Sequence, residues 1–312
     1  MDALAGLLDG PRAQGAFLLK VMLSAPWSIR IEDEAPLAIF TVLDGTVWLT
    51  HPALDAPVHL EPGTTVVARG PEHYTVADRP DRVPTLFIGP GGDCRDAAGV
   101  HLADTMNLGV RTWGNDPAGS TVLLTGAYAL TGEVGDRLLR ALPPVVLLRR
   151  ADWDSPLVGL LADELERDAP GQEAVLDRLL DLLLITALRT WFGRPEAAAP
   201  TWYTASADPV VGRALALLHH NPAHPWTVAT LAAATGVSRA TLARRFADLV
   251  GEPPMAFLTG WRLALAADLL RDPDTTLGAV ARQVGYGSPF ALSTAYKRAH
   301  GVSPRDRRTV SA

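Results

Sequence analysis

Two stretches near the end of the chain share one pattern and decide how this region folds. Residues 227–251 read TVATLAAATGVSRATLARRFADLVG, and residues 276–301 read TLGAVARQVGYGSPFALSTAYKRAHG. Each stretch contains a short apolar helix pattern, a turn with glycine, and a serine that can cap a second helix by accepting a backbone hydrogen bond. The repeat therefore predicts two helix-turn-helix units.

The second helix of each unit carries its own anchoring pattern. A leucine follows the capping serine by four positions, and an aromatic residue follows that leucine by four more. Residues four apart lie on one helix face, so this pair would hold the helix against its domain and leave the opposite face free for a major groove of DNA. The candidate DNA-contacting residues are Ser238, Arg239, Ala240, Thr241, Arg244, Ser288, Pro289, Phe290, Ser293, Thr294 and Lys297.

The distribution of charge favours the same function. The whole chain has a net charge of −6, which by itself argues against a nucleic-acid partner. Residues 209–312, however, hold 12 Lys and Arg against 6 Asp and Glu, whereas residues 1–208 hold 16 against 28. A basic surplus confined to the region of the two units is expected where a protein meets phosphate, so the predicted partner is double-stranded DNA.

Two further segments extend the pattern. Residues 285–304 read GYGSPFALSTAYKRAHGVSP, and residues 255–271, MAFLTGWRLALAADLLR, lie between the two units. Together they resemble the AraC/XylS family of transcription regulators, in which a long helix joins two helix-turn-helix units. The resemblance implies that the first recognition helix makes most base contacts. Small residues at Ala240 and Ala243, where some members carry larger ones, leave Arg244 as the side chain expected to read a guanine.

The first half of the chain predicts short strands. Segments such as PLAIFTVLDG and TTVVARG are rich in Val, Leu, Ile and Thr, and Asp44-Gly45 between two apolar runs is typical of a β-hairpin. Strands of this kind indicate a sandwich or a barrel. The segments LEPGTTVVARGPEHYTV (60–76), LLTGAY (123–128) and RLLRALPPVVLL (137–148) resemble the cupin-type sensor domains of one branch of the same family. The resemblance implies a cupin-like β-barrel.

The middle of the chain changes to a helical period. The leucine stripe from Gln172 to Trp191 is wide enough to be either ordinary core or a subunit interface. We expect a homodimer through it, in which Leu180 and Leu184 face the partner unless they are core. The predicted fold is multidomain α and β: a cupin-like β-barrel sensor domain at 1–150, a helical dimerisation or linker segment at 151–192, a linker at 193–208, and an all-α double helix-turn-helix module at 209–312.

Two residues are candidates for sensing. His73 lies where a metal-binding cupin would place a ligand, but the sequence lacks the close histidine pair of such sites, so neither a metal nor another cofactor is expected. Cys94 precedes Arg95, which can lower a thiol pKa, so Cys94 is either a redox sensor or a packed thiol. The effector is thus an unidentified small molecule or oxidant. The histidines of LLHHNPAHPW (217–226) are expected at the surface or as helix caps.

Several classes of protein are disfavoured. The start, MDALAGLLDG, lacks the basic residues of a secretory signal, and no apolar run reaches bilayer length, which favours a cytoplasmic protein without a membrane partner. One cysteine excludes a disulfide within one chain. The favoured function is a sequence-specific, non-enzymatic transcription regulator, with contact to RNA polymerase as one route of action. The alternative is a cupin-type enzyme with an appended DNA-binding domain.

Overall fold

Short strands dominate the first half of the chain, as its apolar runs and turn residues predict. The computed structural model describes residues 17–304 apart from residues 129, 131, 168 and 198. The strands in chain order are β1 (Phe17–Leu23), β2 (Ser28–Ile31), β3 (Leu37–Asp44), β4 (Val47–Thr50), β5 (Val58–Leu60), β6 (Thr65–Arg69), β7 (Tyr74–Ala77), β8 (Leu86–Ile88), β9 (Cys94–Asp96), β10 (Asn107–Gly109), β11 (Thr112–Gly114), β12 (Thr121–Tyr128) and β13 (Val145–Leu148), with a 3₁₀ turn at Pro90–Gly92.

These strands form two sheets that share one core. The first sheet has seven strands in the order β10-β11-β1-β12-β3-β6-β13, and the second has six in the order β5-β4-β7-β2-β8-β9. Apolar side chains of both sheets, such as Phe40 of β3 and Val76 of β7, belong to one buried cluster. The cupin-like domain is therefore present as two facing sheets. Within the described strands they do not close into the predicted barrel, because each sheet buries one face against the other instead.

The turn at Asp44-Gly45 corrects one expectation. It joins β3 of the first sheet to β4 of the second, so it is a crossing between sheets and not a hairpin. Gly45 has a φ of +82°, and a Cβ at this position would lie 2.6 Å from the carbonyl oxygen of Ser120. The sequence signal for a tight turn was right, but the strands on either side of it find other partners.

The helices begin after the main β-region. Helix bounds in chain order are α1 (Glu133–Ala141), α2 (Pro156–Leu165), α3 (Gln172–Phe192), α4 (Thr201–Ala205), α5 (Val211–His220), α6 (Val228–Thr235), α7 (Arg239–Val250), α8 (Pro254–Leu269), α9 (Leu277–Gln283) and α10 (Pro289–His300). Among the helices of the described ranges, none combines the length and the hydropathy that a membrane span requires.

The leucine stripe of α3 is core of its own chain at the two positions expected to face a partner. Leu180 and Leu184 are both buried. The hydroxyl of Tyr128, at the end of β12, donates a hydrogen bond of 2.7 Å to the carbonyl oxygen of Leu180. The expectation that these leucines contact a second subunit was therefore wrong, since the side of α3 that carries them packs within its own domain.

The described part of the chain divides into two units, and each of them is made of two separate stretches of sequence. Among the described residues, one unit comprises 17–130 and 142–197, and the other comprises 132–141 and 199–304. Helix α1 thus belongs to the helical unit although it lies between β12 and β13 in sequence. Segment 193–208, predicted as a linker from its Ala and Pro content, contains α4, and Ala205 of this helix is buried in the core of the helical unit.

Candidate nucleic-acid interface and internal cavity

Helix α7 is held as its sequence predicts. Leu242 and Phe246 are fully buried in the core formed with α5 and α6. The Oγ of Ser238 accepts a hydrogen bond of 3.1 Å from the backbone N–H of Thr241. Cap and anchors are therefore confirmed, and they fix which face of α7 points outward.

Helix α10 repeats this arrangement against α8 and α9. Leu292 and Tyr296 are fully buried. The Oγ of Ser288 accepts a hydrogen bond of 3.1 Å from the backbone N–H of Ala291. The same spacing of cap, leucine and aromatic residue has produced the same local structure twice.

The outward face of α7 carries two free cationic side chains. Arg239 and Arg244 are exposed, as is Ala240 between them. Neither arginine forms an ion pair with any residue that the structure describes. The neighbouring Arg245 differs, because its Nε donates a hydrogen bond of 2.8 Å to the carboxylate of Asp208. Arg244 is therefore available for an external partner, whereas Arg245 stabilises its own unit.

The outward face of α10 is less polar. Phe290 is 81% exposed, which is the largest exposed fraction among the large apolar side chains described. Thr294 and Lys297 are exposed on the same helix, whereas Ser293 is half-buried. Pro289 and Ala291 are exposed too. Arg298, which the repeat pattern did not single out, is a further exposed cation in the last turn.

The joining helix α8 fixes the loop that follows α5. Arg262 donates hydrogen bonds of 2.7 and 2.8 Å to the carbonyl oxygens of Pro222 and His224. His219 is buried with its ring 4.7 Å from that of Trp261, and burial lowers the pKa of its imidazole to about 4. The expectation of a surface or capping histidine was wrong for His219, because its apolar neighbours on α8 exclude water.

Helix α1 is capped by a residue far away in sequence. The Asp268 carboxylate, on α8, accepts hydrogen bonds of 2.7 and 3.1 Å from the backbone N–H groups of Glu133 and Val134. The first N–H groups of a helix have no partner inside it, and a carboxylate there is favourable. Val134 packs on Trp261. Sequence reasoning missed this contact because a cap normally precedes its helix directly.

A cavity of about 690 Å³ lies inside the β-domain. Its wall is mainly apolar and takes side chains from both sheets, including Val21 and Phe40 from the first and Ile29 and Val76 from the second. The polar residues of the wall were not identified from the sequence as a group, since they come from distant segments. They are Asp33, Tyr74, Asn107, Arg111, Thr112 and Thr125.

The two sensor candidates are not brought together as a reactive site. The Nδ1 of His73 lies 3.7 Å from a carboxylate oxygen of Glu32, and no cluster of three or more potential ligands occurs in the described ranges.

Cys94 is buried and lines the cavity. Burial raises the pKa of its thiol to about 11, with a further contribution from Asp93. Arg95 bonds Asp93 at 2.5 Å and does not lower the pKa of Cys94, so of the two alternatives for this residue the structure favours the packed thiol.

Comparison with known proteins covers both halves of the chain. Residues 2–193 match the family described as "Cupin", and residues 231–309 match "Helix-turn-helix domain". The chain is 31% identical to an AraC-like transcription regulator described from Streptomyces antibioticus, over 99% of this chain and 98% of that one. It is 27% identical to the HTH-type transcriptional regulator AlkR of Acinetobacter baylyi over the full length of both. The solved DNA-binding domain of AdpA in complex with a target DNA is 35% identical over 33% of this chain and 92% of that one, with a TM-score of 0.31.

Proposed function

The chain belongs to the AraC-type transcription regulators with an N-terminal cupin domain, and on this basis we propose that α7 and α10 are its two recognition helices. The observation that carries this assignment is the repeated arrangement of capping serine, buried leucine and buried aromatic residue, which turns two comparable faces outward. The relatives are described as regulators, so the enzyme alternative has no support, and we assign no catalytic step. We place the protein in the cytoplasm, where its DNA would lie.

The outward residues divide into two roles. Arg244 reads a guanine edge, because a guanidinium can donate two parallel hydrogen bonds to O6 and N7. Arg239 and Lys297 contact phosphate, which orients the protein without reading sequence. Phe290 contacts the methyl group of a thymine. The two helices then enter adjacent major grooves about 34 Å apart, and a single chain reads an asymmetric site.

Substitution of the two kinds of cation tests this division. Arg244→Ala should lose about 1–3 kcal/mol of binding to the specific site and relax the preference at one base pair. Lys297→Ala should weaken binding to specific and random DNA alike, because a phosphate contact is independent of sequence. Affinities for both kinds of DNA at two salt concentrations provide the measurement. An equal loss on both for Arg244→Ala would assign that arginine to the backbone.

We propose a homodimer through the outer face of α2 and α3 rather than through the leucines first expected. Leu160, Val175 and Leu182 are 52%, 44% and 47% exposed. Val175 and Leu182 are seven positions apart and therefore share a helix face. Sedimentation should give a folded monomer for the pair Val175→Glu and Leu182→Glu. Leu180→Glu is the matched control on the buried face and should unfold the domain; an unchanged dimer for the first pair would move the interface elsewhere.

We propose that the effector occupies the cavity of the β-domain and that its binding changes the affinity of the protein for DNA or its contact with RNA polymerase. A volume of about 690 Å³ lies within the range of roughly 300–1,000 Å³ typical of small-molecule sites. Cys94 is poorly suited to act as an oxidant sensor. Its raised pKa keeps the thiol protonated, and a protonated thiol reacts slowly.

A further inference from the structure

We propose that the cavity of the β-domain binds an uncharged, largely apolar molecule that carries one hydrogen-bond acceptor of the carbonyl type. The inference rests on the proposed role of the cavity as the effector site, and it adds the chemical class of the ligand. Three features of the cavity support it: small side chains that leave the space open, hydroxyl groups on the wall, and charged side chains of opposite sign.

Small side chains leave the space open. Ala38 of β3 and Ala127 of β12 both line the cavity, and they are paired directly across the two strands. Partners of this kind have Cβ atoms about 4.5–5.5 Å apart, so two methyl groups stand side by side where larger residues would fill the core. The surrounding wall is formed by Leu, Val, Ile and aromatic side chains. An apolar body is therefore the part of a ligand that this space accommodates best.

Two residues with hydroxyl groups, Tyr74 and Thr125, line this cavity. The ring of Tyr74 stacks on that of Phe40, with the ring centroids 6.1 Å apart, and Phe40 is paired across the strands with Thr125. Tyr74 is 7% exposed and Thr125 is half-buried, and no residue in the described part of the chain hydrogen-bonds either hydroxyl. A hydroxyl at the wall of a cavity can donate a hydrogen bond to a ligand inside it. An oxygen that accepts such a bond is therefore the polar group that the ligand would carry.

The two charged side chains at the wall, Arg111 and Asp33, have opposite signs. The guanidinium of Arg111 lies 3.6 Å from the carboxylate of Glu173. Asp33 accepts a hydrogen bond of 3.1 Å from the backbone N–H of Ala35 and forms no ion pair with a residue that the structure describes. Burial, and then the charge of Asp33, raise the pKa of Tyr74, which keeps its hydroxyl a neutral donor. The wall thus carries one charge of each sign, so a charged head group would be attracted by one and repelled by the other while losing its hydration in a mainly apolar space, which favours a neutral one.

Three probes with the same ten-carbon chain length test the class: 2-decanone, decanoate and decylammonium. Calorimetric titration of the full-length protein at neutral pH should show the ketone binding at least about tenfold more tightly than either ion. Tyr74→Phe together with Thr125→Val should weaken ketone binding about tenfold, as expected for losing one or two hydrogen bonds. Ala127→Phe should abolish binding of the ketone by filling the space.

Controls separate this inference from the proposed function. Tyr286→Phe removes a hydroxyl from the helical unit and should leave ketone binding unchanged, and thermal melting checks that every variant is folded. Tighter binding of either ion, an unchanged affinity in the double variant, or no binding of any probe would overturn the ligand class while sequence-specific DNA binding could still be measured. Ketone binding that leaves DNA affinity and transcription in vitro unchanged would support the class and refute the regulatory role of the cavity.

Discussion

Leu242 in the first helix-turn-helix unit and Leu292 in the second stand at the same distance from their capping serines, and both side chains are fully buried. Six positions after the serine, the first unit has Arg244 and the second has Thr294, and both are exposed. The interior is constrained because close packing tolerates little change of volume. The outer face has no such constraint. One scaffold therefore presents two different surfaces within a single chain.

The second outward position shows the same contrast. Two residues after the serine, the first unit has Ala240 and the second has the exposed ring of Phe290. A phenyl ring donates no hydrogen bond to a base edge, whereas a nearby guanidinium donates several. The second unit is therefore suited to apolar contacts, and the hydrogen-bonded readout that we propose would fall to the first.

The largest expected effect tests whether the two interiors are equivalent. Leu242→Ala and Leu292→Ala should each reduce the free energy of unfolding by about 2–5 kcal/mol, because each leaves a cavity in a closely packed core. Denaturant unfolding gives both values. Leu249→Ala, at a partly exposed position on α7, is the control and should cost much less. A large loss at one leucine and a small loss at the other would show that the two interiors are not equivalent.

A somewhat smaller effect is expected from pH. The free energy of unfolding should depend on pH through His219, which lies in the core of the first unit. The pKa of His219 is about 4 in the folded protein, against an ordinary value of 6.5. As pH falls below about 6.5, the unfolded chain takes up a proton first, so stability present above that pH is lost between 6.5 and 4. The loss is about 3 kcal/mol at 1.36 kcal/mol for each pH unit.

Unfolding curves of the protein across this pH range measure the effect. His219→Phe should remove most of the slope, whereas His220→Gln, at the neighbouring exposed position, should retain it. A slope that persists in His219→Phe would mean that other groups carry the pH dependence.

The smallest expected effect concerns Phe290. Phe290→Ala should change the free energy of unfolding by less than about 0.5 kcal/mol, because the ring is outside the core. Affinity for a site with thymine at the contacted position should fall, by on the order of 1 kcal/mol. Deoxyuridine in place of that thymine should reproduce the loss for the unaltered protein and add nothing to the variant. Additive losses would show that the ring does not contact the methyl group.

Local spacing explains what could be predicted from the sequence. The cap at Ser238 and the anchors at Leu242 and Phe246 lie within nine residues of one another, so the period of the helix alone determines their arrangement. Tight turns follow from similarly local chemistry, and the turn at Asp44-Gly45 does form.

Contacts between segments that are distant in sequence could not be predicted in this way. The strands beside Asp44-Gly45 pair with other strands, and which leucines of α3 are buried depends on the face that meets its neighbours. The cavity arises where Ala38 and Ala127 meet across two strands. The capping of Glu133 by Asp268 spans 135 positions. None of these contacts has a signal within its own segment.

The docking of α1 on α8 has a consequence for how such regulators diversify and how they can be engineered. A part of the helical unit is encoded inside the gene segment for the β-domain, between β12 and β13. A single crossover after α3 that exchanges everything upstream would import a foreign α1 onto Trp261 and Asp268. A hybrid with a different β-domain must therefore take residues 132–141 from the chain that supplies the helical unit. Otherwise the contact between α1 and α8 must be redesigned.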